Sequence, residues 1–186
     1  MMFEYIYLKD FKSIKSFLND KRFEKCNRVQ LNWIMHTDNN LLYYENKPLK
    51  ERFPEIDPGA KRKLKGTKRG IKSALRGNIS NMDIIYIHEL SKHTKNCNGF
   101  GKREKVNYYT TNSDFDYYYI DHYAFKSTEE FIKYKLKKSD VMYKNSNNMD
   151  KIRSYFGCCT ITKEKIDFME NETKYNLTEF RNRIIK

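Results

Sequence analysis

One segment, Tyr117-Tyr118-Tyr119-Ile120-Asp121-His122-Tyr123-Ala124-Phe125-Lys126-Ser127-Thr128-Glu129-Glu130-Phe131, passes from a predicted strand into a predicted helix. Its first four residues are aromatic or β-branched, which is typical of a buried strand. Ser127 and Glu130 have the spacing of a capping box, which predicts that a helix begins here. Asp121 and His122 lie between the two elements, where α/β proteins often place binding and catalytic side chains. Residue type alone leaves His122 open as a ligand or, more commonly, a hydrogen-bonded structural histidine.

Hydrophobic periodicity in the rest of the chain predicts strands first and helices last. The predicted strands cover residues 2–8, 28–35, 71–75, 84–88 and 117–120. The predicted helices cover residues 10–19, 48–53, 128–137, 147–156, 162–175 and 178–185, and a long loop or lid is predicted over 89–113. This order indicates an α/β (α+β) fold, with a mixed sheet, flanking helices and a helical C-terminal third.

Length and composition predict a single domain that can bury a substantial core. The chain has 186 residues, of which 15% are aromatic, while its mean hydropathy is −0.90. The apolar residues must therefore be concentrated in short elements. The 37 Lys and Arg residues against 24 Asp and Glu give a net charge of +13. This charge predicts attraction to polyanions and leaves peripheral contact with an anionic membrane surface open.

Cysteine spacing and apolar run length predict a cytoplasmic protein. No two of the four cysteines have Cys-x-x-Cys spacing; they are Cys26, Cys97, Cys158 and Cys159. Reduced thiols are therefore the expected state. No apolar run approaches the roughly 18 residues that span a bilayer. The first residues also lack a basic region followed by an apolar core.

Polar side chains at or near the ends of the predicted strands are the candidates for a site. They are Asp38, Lys72, Arg76, His88, Asp121 and His122, with Trp33 on a strand beside them. A desolvated Asp38 could act as a general base, and an Asp in such a turn could equally bond its own backbone. Lys72 and Arg76 could hold phosphate oxygens or be solvated surface charges. For His88 and Trp33, the alternative to a place in the site is a structural position in the core.

A basic cluster is the main support for nucleic-acid binding. It comprises Lys61, Arg62, Lys63, Lys65, Lys68 and Arg69. The cluster has no interleaved aromatic residues of the kind on which bases stack. No helix-turn-helix, zinc-finger, RRM or KH pattern accompanies it, so nucleic acid is the weaker alternative.

Six segments in series carry a resemblance to a known family. They are Glu4-Tyr5-Ile6, Asn32-Trp33-Ile34-Met35-His36-Thr37-Asp38, Glu51-Arg52-Phe53, Lys72-Ser73, Ile87-His88 and Asp121-His122-Tyr123 continuing to Phe131. In order and approximate spacing they resemble bacterial glycosyltransferases of the family 2-like and family 92-like type, which have the GT-A fold. The resemblance implies that residues 1–140 form the acceptor-side portion of such a domain. Residues 141–186 would be a helical extension packed on it.

The resemblance implies transfer of a sugar from a nucleotide-sugar donor to a glycan or other hydroxyl acceptor. Mn²⁺ or Mg²⁺ would neutralise charge on the departing nucleotide diphosphate. By the same resemblance His122 would be a metal or diphosphate ligand and Asp38 the base near the acceptor. Trp33 would line the sugar pocket, and the other candidates of the site would bind substrate.

Two features depart from the family pattern. Met1 and Phe3 stand where the family has its pair of metal-binding Asp residues, and the nucleotide-binding half that normally precedes this strand is missing from the sequence. The expectation is therefore a glycosyltransferase-like protein that is truncated, degenerate or one piece of a split enzyme completed by a separate nucleotide-binding half. The alternative is a non-enzymatic basic binding module for nucleic acid or an acidic partner.

Overall fold

The computed structural model describes residues 4–56, 69–75, 77, 84–86, 89–90, 95–103, 109–110, 117–136 and 147–184. A mixed β-sheet and several helices confirm the predicted α/β class. The chain divides into two compact units. The first contains Met1–Ile34 and Ala60–His122, and the second contains Met35–Gly59 and Tyr123–Lys186. The division predicted near residue 140 stays a prediction, since residues 137–146 lie outside the described part.

The first unit is built on one sheet. Its strands are β1 (Glu4–Leu8), β2 (Arg28–Met35, whose last residue belongs to the second unit), β3 (Arg69–Leu75), β6 (Asn96–Cys97), β7 (Tyr109–Thr110) and β8 (Tyr118–His122). The order is β1-β8-β2-β3-β7, and β6 pairs with β2 in parallel. The pairs β1/β8, β2/β3 and β3/β7 are antiparallel. Strands β4 (Ile84–Tyr86) and β5 (Glu89–Leu90) form a separate antiparallel pair.

Alternation along β2 gives this sheet one apolar face. Val29 and Leu31 are buried with Tyr118 and Ile120 of β8 in an aromatic-rich core. A short helix α1 (Ile14–Leu18) and a 3₁₀ turn (Lys21–Phe23) contribute phenylalanines to this core. Because β8 continues this alternation, His122 lies at the end of the apolar face and Asp121 points to the opposite face.

The second unit is helical. Its helices are α2 (Leu49–Arg52), α3 (Thr128–Phe131), which continues as a π-helix over Ile132–Leu136, α4 (Asn148–Cys158), α5 (Lys163–Thr173) and α6 (Thr178–Ile184). Ser127, Asn147 and Thr162 cap α3, α4 and α5 through their side chains. The core is filled by residues at helical spacing, including Ile152, Tyr155, Ile166, Met169 and Phe180. Burial of one stripe on each helix holds the unit together.

The cysteines correct one prediction. Cys26 and Cys97 form a disulfide within the first unit, so the expectation of reduced thiols is wrong for this pair. They are 71 positions apart in the chain, and the register of β6 on β2 places them together, which cysteine spacing alone does not show. Cys158 and Cys159 are not disulfide-bonded. Among the described residues, no helix has both the length and the apolar character to cross a membrane.

Candidate functional site

Antiparallel pairing of β1 with β8 places Glu4 directly opposite His122. Opposite residues of an antiparallel pair project from the same face of a sheet, so the two side chains meet. The Nδ1 atom of His122 lies 2.8 Å from Oε1 of Glu4. His122 is buried, whereas Glu4 is partly exposed. A carboxylate of the neighbouring strand therefore holds the imidazole at the end of β8.

Trp33 of β2 covers the His122 ring. The two rings are parallel, with an interplanar angle of 4° and centroids 4.3 Å apart. Gly70 of β3 makes this possible: a Cβ atom at that position would lie 2.0 Å from the indole ring. The glycine thus provides the space that Trp33 occupies, and the indole in turn fixes the plane of the imidazole.

Lys72 completes this group, here named the His122 cluster (Glu4, Trp33, Lys72 and His122). The Lys72 Nζ atom lies 3.1 Å from Oε1 of Glu4 and 5.5 Å from the Trp33 ring centroid. One carboxylate oxygen therefore contacts both an imidazole nitrogen and an ammonium. Trp33, Lys72 and His122 were expected to belong to one site, and the structure brings them together.

The charges of the cluster determine which nitrogen of the His122 imidazole carries the proton. Burial raises the pKa of Glu4, but the hydrogen bond with His122 and the charge of Lys72 outweigh it and hold that pKa below its ordinary value. Glu4 is therefore ionised at neutral pH and acts as an acceptor, so Nδ1 of His122 carries the proton. This carboxylate–imidazole arrangement orients histidines in many catalytic and metal sites.

Asp121 is buried on the opposite face of the sheet from His122. Burial raises the pKa of Tyr119, and the negative charge of Asp121 raises it further. Tyr119 stacks on Tyr7 with centroids 4.7 Å apart. Although Asp121 and His122 are adjacent in the chain, alternation of the strand separates their side chains.

Asp38 belongs to the second unit and is enclosed there. Its Oδ2 accepts hydrogen bonds from the Tyr155 hydroxyl and the Lys165 ammonium, each at 2.5 Å. Its Oδ1 accepts from the Asn40 backbone N–H at 3.2 Å, which confirms the alternative of a turn aspartate bonding its own backbone. Asp38 and Lys165 are each 1% exposed. Its role as a general base stays a prediction.

Burial and the charge of Asp38 raise the pKa of Tyr155 well above its ordinary value, so this tyrosine stays neutral and donates to the carboxylate. The same two causes raise the pKa of the Cys159 thiol. Because the thiolate is the reactive form of cysteine, Cys159 is an unreactive core residue.

Two predicted residues, Arg76 and His88, lie outside the described residues, as do positions 61–68 of the basic cluster. The residues that sequence reasoning missed are Glu4, Tyr155 and Lys165. Glu4 belongs to the first segment of the family resemblance, and its place ahead of an aromatic strand was its only signal. Lys165 gave no signal, since a lysine in a helix normally reads as solvated.

The divalent metal that the resemblance implies has one fitting ligand in the His122 cluster. His122 fits as a single ligand, because Glu4 holds its other nitrogen in the manner of a metal-binding imidazole. The part of the chain that the structure describes contains no group of three His, Cys, Asp or Glu side chains that could hold an ion. A metal site at His122 would therefore take its other ligands from beyond the described residues.

Comparison with known proteins gives no further guide. No family model, curated protein or solved structure matches the chain. The functional reading therefore rests on the geometry of the His122 cluster and on the sequence segments that led to it.

Proposed function

We propose that this chain is the acceptor-side portion of a GT-A-type glycosyltransferase. It would act in transfer of a sugar from a nucleotide-sugar donor to a glycan or other hydroxyl acceptor, together with a nucleotide-binding half. The observation that carries the proposal is the His122 cluster. Three residues named from separate sequence segments, Trp33, Lys72 and His122, meet there around a carboxylate.

The cluster has the side chains that sugar recognition requires. The indole of Trp33 is half-buried and supported by the buried His122 ring stacked on it, and it forms an aromatic wall against which the apolar face of a pyranose ring can pack. Lys72 and Glu4 carry a donor and an acceptor for hydroxyl groups at the edge of that wall. We assign Nε2 of His122 to a divalent ion shared with the nucleotide-binding half when the ring is neutral, and to the donor phosphate when the ring is protonated and Nε2 donates. When bound, such an ion neutralises charge on the leaving diphosphate.

The test is turnover of a panel of UDP-, GDP- and CMP-sugars with Mn²⁺ by the chain combined with a nucleotide-binding half that gives measurable wild-type activity. We expect His122→Ala to abolish hydrolysis and transfer, and Glu4→Gln to lower them about 10- to 100-fold, as loss of the group that orients a ligand does. Glu24→Gln is the matched control, since Glu24 is an exposed glutamate of the same unit. Turnover that is the same in His122→Ala and in the wild type contradicts the proposal.

The competing function is a basic binding module, which the net charge of +13 favours. Tight binding of oligonucleotides that weakens steeply with salt, with no response to nucleotide sugars, would support it in place of transfer. A cytoplasmic location is part of the proposal. The Cys26–Cys97 disulfide counts against that location, because cytosolic thiols are normally kept reduced.

A further inference from the structure

Strand β1 lies at one edge of the sheet in the first unit. Among the described strands it pairs with β8 alone, from Glu4 to Leu8. Tyr5, Ile6 and Tyr7 follow one another and are 40%, 45% and 40% exposed. Alternation in a strand normally turns every second apolar side chain into the core, so three exposed apolar residues in a row are unusual. This edge of the sheet therefore presents an apolar surface.

Strand β1 lacks the usual protections of an edge strand. Proteins protect such strands because their outward N–H and C=O groups can pair with another chain, and lysine, proline and β-bulges are common devices. The segment Glu4–Leu8 contains no lysine or proline, and its register with β8 continues without a bulge. The charge of Glu4 is already bound by His122 and Lys72. An unprotected apolar edge of this kind is suited to pairing with another strand.

The hydrogen bonds with β8 show which backbone groups of β1 point outward. The Lys9 N–H donates to the Tyr117 carbonyl oxygen at 2.9 Å. In an antiparallel pair, residues that bond to the partner strand alternate with residues whose backbone groups point away from it. Tyr5 and Tyr7 therefore bond to β8, and the N–H and C=O of Ile6 point to the outer side of the sheet.

The residues around Ile6 are symmetric in sequence. Tyr5-Ile6-Tyr7 reads the same in both directions. Antiparallel pairing of two β1 strands about Ile6 would let the two Ile6 residues exchange both backbone hydrogen bonds, and each Tyr5 would face Tyr7 of the other copy. The tyrosines then occupy non-hydrogen-bonded positions, where opposite side chains lie closest and aromatic pairs stabilise a sheet. Since Tyr7 already stacks on Tyr119, the row of tyrosines would continue across the interface.

The charge pattern of β1 also permits pairing with itself. Glu4 is the one charged residue of the strand, and the symmetric register places it opposite Leu8 of the second copy. No two like charges therefore meet between the paired strands. A strand of unrelated sequence could bond to the outward backbone groups, but it would not use the symmetry about Ile6. The symmetry therefore favours a second copy as the occupant.

We propose that this chain forms a two-fold symmetric dimer through β1, with Ile6 at the axis. Both copies would contribute the same surface, and their sheets would join edge to edge. Because β1 has five residues, its pairing buries less area than the roughly 1,600 Å² of a standard interface, and we expect a Kd on the order of 10–100 µM. The dimer does not depend on sugar transfer.

Sedimentation velocity of the full chain over a wide range of protein concentration tests the dimer. We expect the wild type to pass from monomer to dimer. Salt should strengthen association, because it screens the repulsion between chains that each carry a net charge of +13. Ile6→Lys should weaken association by about tenfold or more, since two ammonium groups would face each other at the axis. Ile14→Lys is the matched control, because Ile14 belongs to the same unit and is 38% exposed; it should dimerise like the wild type.

A mixture of two variants identifies the occupant and the register. Ile6→Glu alone should also be monomeric, whereas an equimolar mixture of Ile6→Lys and Ile6→Glu should recover association, because opposite charges then meet at the axis. Circular dichroism checks that both variants fold; if one does not, slower hydrogen exchange of the wild-type Ile6 amide at high protein concentration decides the matter. A wild type that stays monomeric at every concentration, dimerisation of Ile6→Lys equal to that of the wild type, or a mixture of folded variants without recovery would overturn the proposal.

Discussion

Glu4 is the residue on which the His122 cluster depends, because its carboxylate contacts both His122 and Lys72. Sequence reasoning identified Trp33, Lys72 and His122, since each lies in a segment with a recognisable residue pattern. It missed Glu4 because the register of two antiparallel strands 118 positions apart cannot be read from one sequence. A residue becomes part of a site through pairing that only the folded chain shows.

The lowered pKa of Glu4 predicts a pH-dependent contribution to stability. A carboxyl group with a folded-state pKa below its unfolded value stabilises the folded state above the unfolded pKa, about 4.3 for Glu. That contribution is lost as pH falls through the lower folded-state pKa. Glu4→Gln should therefore unfold more easily than wild type at pH 7, by about 0.5–1 kcal/mol for a partly exposed pair. The difference should shrink as pH falls below about 4.3 and vanish only below the lower folded-state pKa.

Urea unfolding followed between pH 7 and pH 3 measures this difference, with Glu24→Gln as the control. Glu24 is exposed, so its variant should follow the wild type at every pH. A Glu4→Gln deficit that persists unchanged at pH 3 would show that Glu4 stabilises the protein through packing and not through its charge.

Lys165 and Asp38 form a buried ion pair, and removal of one partner leaves a buried charge. Lys165→Met should lower the free energy of unfolding by about 3–5 kcal/mol. Lys163→Met, two residues away, removes an exposed lysine whose side chain is 70% exposed; we expect at most about 0.5 kcal/mol there. Asp38→Asn combined with Lys165→Met should recover part of the loss, because no unpaired charge then remains. Equal effects of the two lysine substitutions in urea denaturation would refute the buried pair.

At the scale of the elements, periodicity and capping predicted most of what the structure contains. The strand over 28–35 matches β2, and the helices over 147–156 and 162–175 correspond to α4 and α5. Helix α1 is shorter than predicted, because the Ser13 side chain accepts from the Ser16 backbone N–H and fixes the start there. The predicted loop over 89–113 contains the strands β5, β6 and β7. Strands of two residues have no measurable periodicity.

One of the two hydrogen bonds of the predicted capping box at Ser127 is present. The Ser127 hydroxyl oxygen accepts from the Glu130 backbone N–H at 3.3 Å. The Glu130 carboxylate, however, accepts from Arg52 and from the Ser127 hydroxyl. Arg52 is far away in the sequence, so its competition for Glu130 could not be foreseen from local spacing.

The position of the Trp33 ring over β3 depends on the missing side chain of Gly70. Gly70→Ala would force the Trp33 ring to move, and we expect a loss of about 1–3 kcal/mol in the free energy of unfolding, as overpacking usually costs. Trp33 is the only tryptophan, so its fluorescence spectrum should shift at the same time.

Gly77→Ala is the matched control for this substitution, because a Cβ atom there would meet no atom of the described residues within 4 Å. Its stability and emission should be those of the wild type. An unchanged Trp33 emission in Gly70→Ala would contradict the close contact of strand and indole.

At the scale of the whole molecule, the disulfide predicts how many thiols react with an alkylating reagent. Protein prepared without reductant should show two reactive thiols after denaturation, Cys158 and Cys159, and four after reduction. Closure of a loop of this length typically contributes about 2–4 kcal/mol to stability, so reduction should shift urea unfolding by a similar amount. Mass spectrometry of alkylated protein checks the count. Four reactive thiols without reductant would favour the reduced state that cysteine spacing predicted.

The sugar site is the central claim, and Trp33 reports on it directly because no other tryptophan contributes to the emission. The decisive measurement is Trp33 fluorescence during titration with a panel of disaccharides and UDP-sugars. We predict a saturable change with at least one ligand, weakened in Glu4→Gln and preserved in Glu24→Gln. No change with any ligand, or equal binding by the two glutamine variants, would contradict a sugar site at the His122 cluster.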